Sequence, residues 1–208
     1  QETLSWLASA SSFGIKPGLE RINAVLEKLD HPETAYKVIH VAGTNGKGSV
    51  VAMITSVLEN ATLRVGRFIS PHLIDYTERI YFCGHDISQD DFAKAATVVK
   101  EAADKVVAEG GEALTEFEIL TAMAFWVFRE EKIDYAVVEV GMGGLYDSTN
   151  VVTPVVSVIT NVALDHMQYL GDTLPEIARQ KAGIIKKETP VVTACLLYTS
   201  PSPRDSTS

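Results

Sequence analysis

Residues 38–59 read as an apolar run, a glycine turn and a helix, and this succession restricts the fold more than any other stretch. Val38-Ile39-His40-Val41-Ala42 has the composition of a buried strand. Gly43-Thr44-Asn45-Gly46-Lys47-Gly48-Ser49 follows, and residues 50–59 have the make-up of a helix. A strand that enters a helix through a tight glycine turn opens an α/β unit. Residues 135–140 and 155–160 are two further runs, β-branched and almost uninterrupted in apolar side chains. Such strands are covered on both faces, as in a parallel sheet between helix layers. A helix over about 174–185 and a strand over 191–194 continue the alternation. The predicted fold is a doubly wound α/β domain with a mostly parallel sheet and a P-loop-like nucleotide site.

The stretches between these strands carry helix signals. Two short helices are predicted within residues 3–30, broken at Gly14-Ile15-Lys16-Pro17-Gly18, the second with Leu19, Ile22, Val25, Leu26 and Leu29 on one stripe. Ser88 with Asp91 marks the start of a long helix that stops near Gly110-Gly111, and Thr115 with Glu118 repeats the capping pattern before the next. The pattern ends at Ala194. Residues 195–208, CLLYTSPSPRDSTS, are polar, proline-punctuated and aperiodic. The expected organisation is one domain over 1–194 and a disordered, foreign tail over 195–208.

Composition excludes several classes of function. A formal net charge of −9 leaves no basic face for neutralising a nucleic-acid backbone. No apolar run approaches the length of a membrane span, and Cys83 and Cys195 make no disulfide framework. A cytoplasmic monomer is the expectation.

The glycine turn is suited to one kind of ligand. Glycines let successive N–H groups converge on an anion, and the helix start behind them adds partial positive charge. Lys47 would reach the β- and γ-phosphates of a nucleotide. The turn departs from a strict Walker A loop, because Val41 stands where the first glycine belongs and Gly48 where Ser or Thr follows the lysine. A magnesium-facing hydroxyl must then come from elsewhere in the chain.

That variant, HVAGTNGKGS over residues 40–49, resembles the ATP loop of the folylpolyglutamate synthase and dihydrofolate synthase branch of the Mur-ligase-like superfamily. Further stretches are similar to that family's motifs in the same order. They are residues 13–21; Ser70-Pro71-His72-Leu73 with Glu78-Arg79-Ile80; Glu139-Val140-Gly141 through Asp147-Ser148-Thr149-Asn150; Asn161 to His166; and Lys181 to Lys186. Leu145-Tyr146 departs from the arginine usual in that glycine turn, and the family's C-terminal domain has no counterpart in this sequence.

The resemblance implies an ATP-dependent ligase that joins L-glutamate to a folate or dihydropteroate carboxylate through an acyl phosphate. It implies Gly43, Thr44, Asn45, Gly46, Lys47, Gly48 and Ser49 as the ATP loop, with Lys47, His166 and Lys181 in catalysis. Ser70, Glu139 and His166 would hold Mg2+, and Lys181 would serve a second ion if carbamylated, which needs a lysine able to lose its proton. His72, Thr115, Phe117, Glu118 and Asp165 would face the substrate. His40, inside a strand, reads instead as a hydrogen-bonded core residue. A Mur-type cell-wall ligase remains an alternative, although Gly48 argues against it. So does a non-catalytic nucleotide-binding fragment, and on either view the isolated chain should not ligate glutamate.

Overall fold

The computed structural model describes residues 2–164 and 166–194; the expected tail 195–208 and Asp165 lie outside the described residues. Seven strands form one sheet: β1 (Lys37–Ala42), β2 (Val65–Phe68), β3 (Ile80–Phe82), β4 (His85–Asp86), β5 (Tyr135–Glu139), β6 (Val156–Ile159) and β7 (Val191–Thr193). Their order is β4-β3-β2-β5-β1-β6-β7. β2, β5, β1, β6 and β7 run parallel, while β3 and β4 add an antiparallel edge. This is the mostly parallel α/β sheet the apolar runs predict.

Helices cover both faces of the sheet. On one side lie α1 (Glu2–Ser11), α2 (Glu20–Lys28), α4 (Gln89–Ala108) and α5 (Glu116–Glu130). α4 turns Phe92, Ala95, Ala96, Val99, Ala103 and Val106 inward, a stripe at three- and four-residue spacing. α5 is buried almost all round between that layer and the sheet, which explains why its apolar residues show no polar face. α3 (Lys47–Asn60) covers the opposite side, where Val51 packs on Val41, Val65 and Val137. Alternation along β1 sends Val38, His40 and Ala42 to one face and Ile39 and Val41 to the other.

Caps fix where the helices nearest the site begin. The Ser88 side chain accepts from the Asp91 N–H, and Thr115 and Glu118 form a reciprocal capping box. α6 (Met167–Leu170) and α7 (Leu174–Ala182) follow β6, and Thr173 with Glu176 caps α7 in the same way. Residues 183–185, expected as helix, turn away after Gly183. Among the described residues no helix is long and apolar enough to cross a membrane.

Candidate active site

The glycine turn after β1 is shaped by the segment after β6. Thr44 and Asn45 both donate backbone N–H groups to Asn161 Oδ1, at 3.2 and 2.8 Å. Thr160 Oγ1 donates to the Asn45 carbonyl at 2.7 Å, and Thr44 Oγ1 accepts from the Ala163 N–H at 3.0 Å. Gly43 lies so close beneath this clasp that a Cβ there would stand 1.8 Å from Thr160 Oγ1. Gly46 takes the left-handed conformation at the α3 N-cap, φ 79°. The first-turn N–H groups of α3 that follow have no partner within the helix, so they are the donors available to an anion.

Lys47 is held over this loop by its carbonyls, donating to Gly43 at 3.2 Å and Thr44 at 3.4 Å. Its ammonium also lies 3.8 Å from Glu139 Oε1, at the end of β5. Glu139 is only 5% exposed, and its Oε2 accepts from the Ser70 N–H at 3.4 Å. Burial raises the carboxyl above its ordinary range, and Lys47 offsets part of that. Gly48 leaves room here, since a Cβ would meet Glu139 Oε2 at 3.7 Å, an ordinary contact. Lys47, Gly48, Ser70 and Glu139 therefore converge although they come from three separate stretches.

Beside them opens a cavity of about 310 Å³. Ser70 belongs to its wall, as do Ile15, Phe117, Met142, Tyr146 and Tyr169, with Arg79, Thr115, Glu118 and Asp147 as polar groups. Phe117 packs against Phe68 with ring centroids 5.8 Å apart. Glu118 does double duty: it receives the Thr115 N–H at 2.7 Å and pairs with Arg21 at 3.0 Å. Arg21 in turn donates to the Lys16 carbonyl, which ties residues 13–21 to the rim. His72 is engaged locally, its Nδ1 accepting from Arg79 Nε at 2.8 Å and its ring against Tyr76.

His166 and Lys181 both come from the segment that follows β6. His166 is the exposed N-cap of α6, in the left-handed region at φ 47°, and its carbonyl accepts from Tyr169 and Leu170. Lys181, 2% exposed in the last turn of α7, lies in the interior and not in solvent. That helix end is joined to the glycine turn by the Leu145 N–H, which donates to the Gln180 carbonyl at 2.8 Å. Among the described residues no three His, Cys, Asp or Glu side chains group tightly enough to hold a metal on their own.

Sequence reasoning missed Asp147 as a cavity residue. It is 8% exposed and its carboxyl is raised by burial, an effect opposed by hydrogen bonds from Thr149, Met142 and Gly141. The available signal was an aspartate set among glycines between two buried strands.

This fold, with a clasped glycine loop at the carboxyl end of β1, is that of a ligase domain: residues 41–203 match the Mur ligase middle domain, and the chain belongs to the Mur ligase family. It is 48% identical over 198 residues to the dihydrofolate synthase/folylpolyglutamate synthase of Bacillus subtilis, covering 93% of this chain and 45% of that one. The apo form of Lacticaseibacillus casei folylpolyglutamate synthase superposes with a TM-score of 0.89 at 42% identity, over 94% of this chain and 48% of that chain. Escherichia coli FolC in complex with DHPP and ADP gives 0.85 at 36% identity, over 92% and 45%. Within the Mur ligases, then, the chain is a member of the dihydrofolate synthase/folylpolyglutamate synthase family. It spans about half the length of the curated relatives it matches.

Proposed function

We propose that this chain is the ATP- and pterin-binding part of a cytoplasmic ligase that adds L-glutamate to dihydropteroate or a folate. The observation that carries the reading is Ser70, which lines the 310 Å³ cavity and also donates to Glu139 beside Lys47. A substrate seated in the cavity would thus present its carboxylate toward the terminal phosphate of a nucleotide on the loop. Carboxylate oxygen attacks the γ-phosphorus, the bond to the β-phosphate oxygen breaks, and ADP leaves. The amine of glutamate then adds to the acyl phosphate, giving the amide, inorganic phosphate and a proton. Lys47 stabilises charge on the transferring group, and the α3 N-terminus supports the adjoining phosphates.

The donor set fits magnesium. Glu139 is a buried carboxylate that, among the described residues, meets one ammonium at 3.8 Å and accepts one N–H at 3.4 Å, which leaves lone pairs for a hard cation. Magnesium takes few protein ligands and keeps several waters. Ser70 and Glu139, with His166 from the α6 turn, would hold it, and interior Lys181 would serve a second ion once carbamylated. A magnesium ion held there would neutralise phosphate charge. Thr115, Phe117 and Glu118 would bind the pterin, with His72 and Asp165 assisting. Phe117 offers a ring face for stacking.

Calorimetry on the purified 208-residue chain tests this reading. Dihydropteroate and ADP should each bind, and glutamate ligation should be absent because the relatives' other half is missing. Failure of dihydropteroate to bind with ADP bound would reject the cavity assignment. Measurable ligation would show that this half suffices for the reaction.

A further inference from the structure

His40 is fully buried in β1, just ahead of the phosphate loop, and the acyl-transfer chemistry gives it no task. Its Nε2 lies 2.8 Å from Thr149 Oγ1. The Thr149 hydroxyl donates to Asp147 Oδ1, and the Thr149 backbone N–H donates there too, at 3.0 Å. A hydroxyl has a single proton, so Thr149 Oγ1 can only accept from His40. This fixes the imidazole as the Nε2–H tautomer. Nδ1 is then a bare lone pair, buried without a hydrogen-bond partner among the described residues. An aliphatic side chain would fill the position without stranding an acceptor.

The bond to Thr149 reaches the cavity wall. Asp147 Oδ2 receives the Met142 N–H at 2.9 Å, and the Gly141 N–H also bonds this carboxylate. One side chain thereby pins both ends of the turn from Gly141 to Thr149, and Met142, Tyr146, Asp147 and Ser148 of that turn line the cavity. We propose that His40 is a positioning residue: through Thr149 and Asp147 it locks the cavity's glycine turn to the strand that feeds the phosphate loop. Nucleotide site and acceptor cavity then move as one body, which keeps the carboxylate and the γ-phosphate in register. The link to substrate rests on the cavity reading above; the brace itself does not. Desolvation helps, because it lowers the imidazole to about 3 and so preserves the neutral donor across the working pH range.

The test uses His40→Leu, Thr149→Val and His40→Gln in the 208-residue chain, with amide exchange of Met142 followed by NMR and ligand affinities by calorimetry. His40→Leu and Thr149→Val should each speed Met142 exchange and weaken dihydropteroate about tenfold, the loss of roughly one hydrogen bond. The double variant should be no worse than Thr149→Val alone, because that change already removes both the His40–Thr149 and the Thr149–Asp147 bonds. ADP affinity should change by less than about twofold in all of them, since the loop keeps its own clasp. His40→Gln, whose amide N–H can stand in for Nε2–H, should restore both readouts. Unchanged Met142 exchange in both His40→Leu and Thr149→Val, additive losses, or a His40→Gln no better than His40→Leu would overturn the proposal. If the parent chain binds no dihydropteroate, the cavity reading falls and Met142 exchange alone decides the brace.

Discussion

Replacing Glu139 with glutamine should make the free chain more stable and its magnesium-dependent nucleotide binding worse. The carboxylate is 5% exposed, and its interactions are the Lys47 ammonium at 3.8 Å and the Ser70 N–H at 3.4 Å. At that separation and an effective dielectric of about 20, the ion pair is worth roughly 4 kcal/mol before desolvation. Taking the carboxylate out of water costs several kcal/mol, and its pKa stays raised although Lys47 and the Ser70 N–H oppose the shift, so these partners do not repay its burial. Glutamine keeps the volume and can still accept from Ser70, while Lys47 retains the Gly43 and Thr44 carbonyls. A gain of about 1 kcal/mol follows, or roughly 2–4 °C in Tm for a domain of this size. Nucleotide binding should divide by metal. With magnesium, ADP or ATP should bind at least about tenfold more weakly, the loss of one charged ligand. With chelator, affinity should hold or improve, because a negative charge has been taken away from the phosphates. Thermal melts and calorimetry with and without magnesium read both halves. A Tm several degrees lower, or equal losses with and without metal, would refute the reasoning.

Lys47→Ala should weaken ATP by about 1.5–3 kcal/mol, since a charge already held in place by loop carbonyls is lost; equal affinity in calorimetry would remove the phosphate-loop assignment. Gly43→Ala drives a methyl into Thr160 at a φ of 153°, so nucleotide affinity should collapse and stability fall by about 1–3 kcal/mol, as urea melts would show. His40 is lowered by burial to about 3 from an ordinary 6.5, so the unfolded chain takes up a proton that the folded chain refuses. Relative to His40→Gln, the parent should lose stability as pH falls from 6.5 toward 3, by about 2 kcal/mol at pH 5, read from urea melts at each pH. A pH-independent difference would contradict the burial.

The parts of the fold that could be read in advance were those whose local chemistry and tertiary role agree. The Thr115–Glu118 box starts α5 in the sequence and in the structure alike, because capping is settled within four residues. β5 and β6 stood out as apolar runs since both faces of a parallel sheet are covered. β2 did not. Val65-Gly66-Arg67-Phe68 has no apolar run, and Gly66 is there so that Phe128 and Ile133 can press against the backbone, a demand that only the packed structure reveals. In the site, Lys47 was legible from its loop, and Glu139 only through the family resemblance. The clasp of Asn161 and the brace of Asp147 were not, because each depends on partners brought close by the sheet order.

The clasp has a consequence for rates. Asn161 and Thr160 fix Gly43 to Asn45 before any anion arrives, so the loop's disorder is lost during folding and not at encounter. On the proposed function, a nucleotide would therefore meet a finished surface, and its arrival would be limited by diffusion and long-range charge. The chain carries a net charge of −9, so an approaching triphosphate is repelled until it is within reach of Lys47 and the α3 N-terminus. Added salt shortens the range of that repulsion to roughly 10 Å at 0.1 M. Arrival should then quicken with ionic strength while escape from the loop quickens too, and nucleotide exchange becomes faster in both directions.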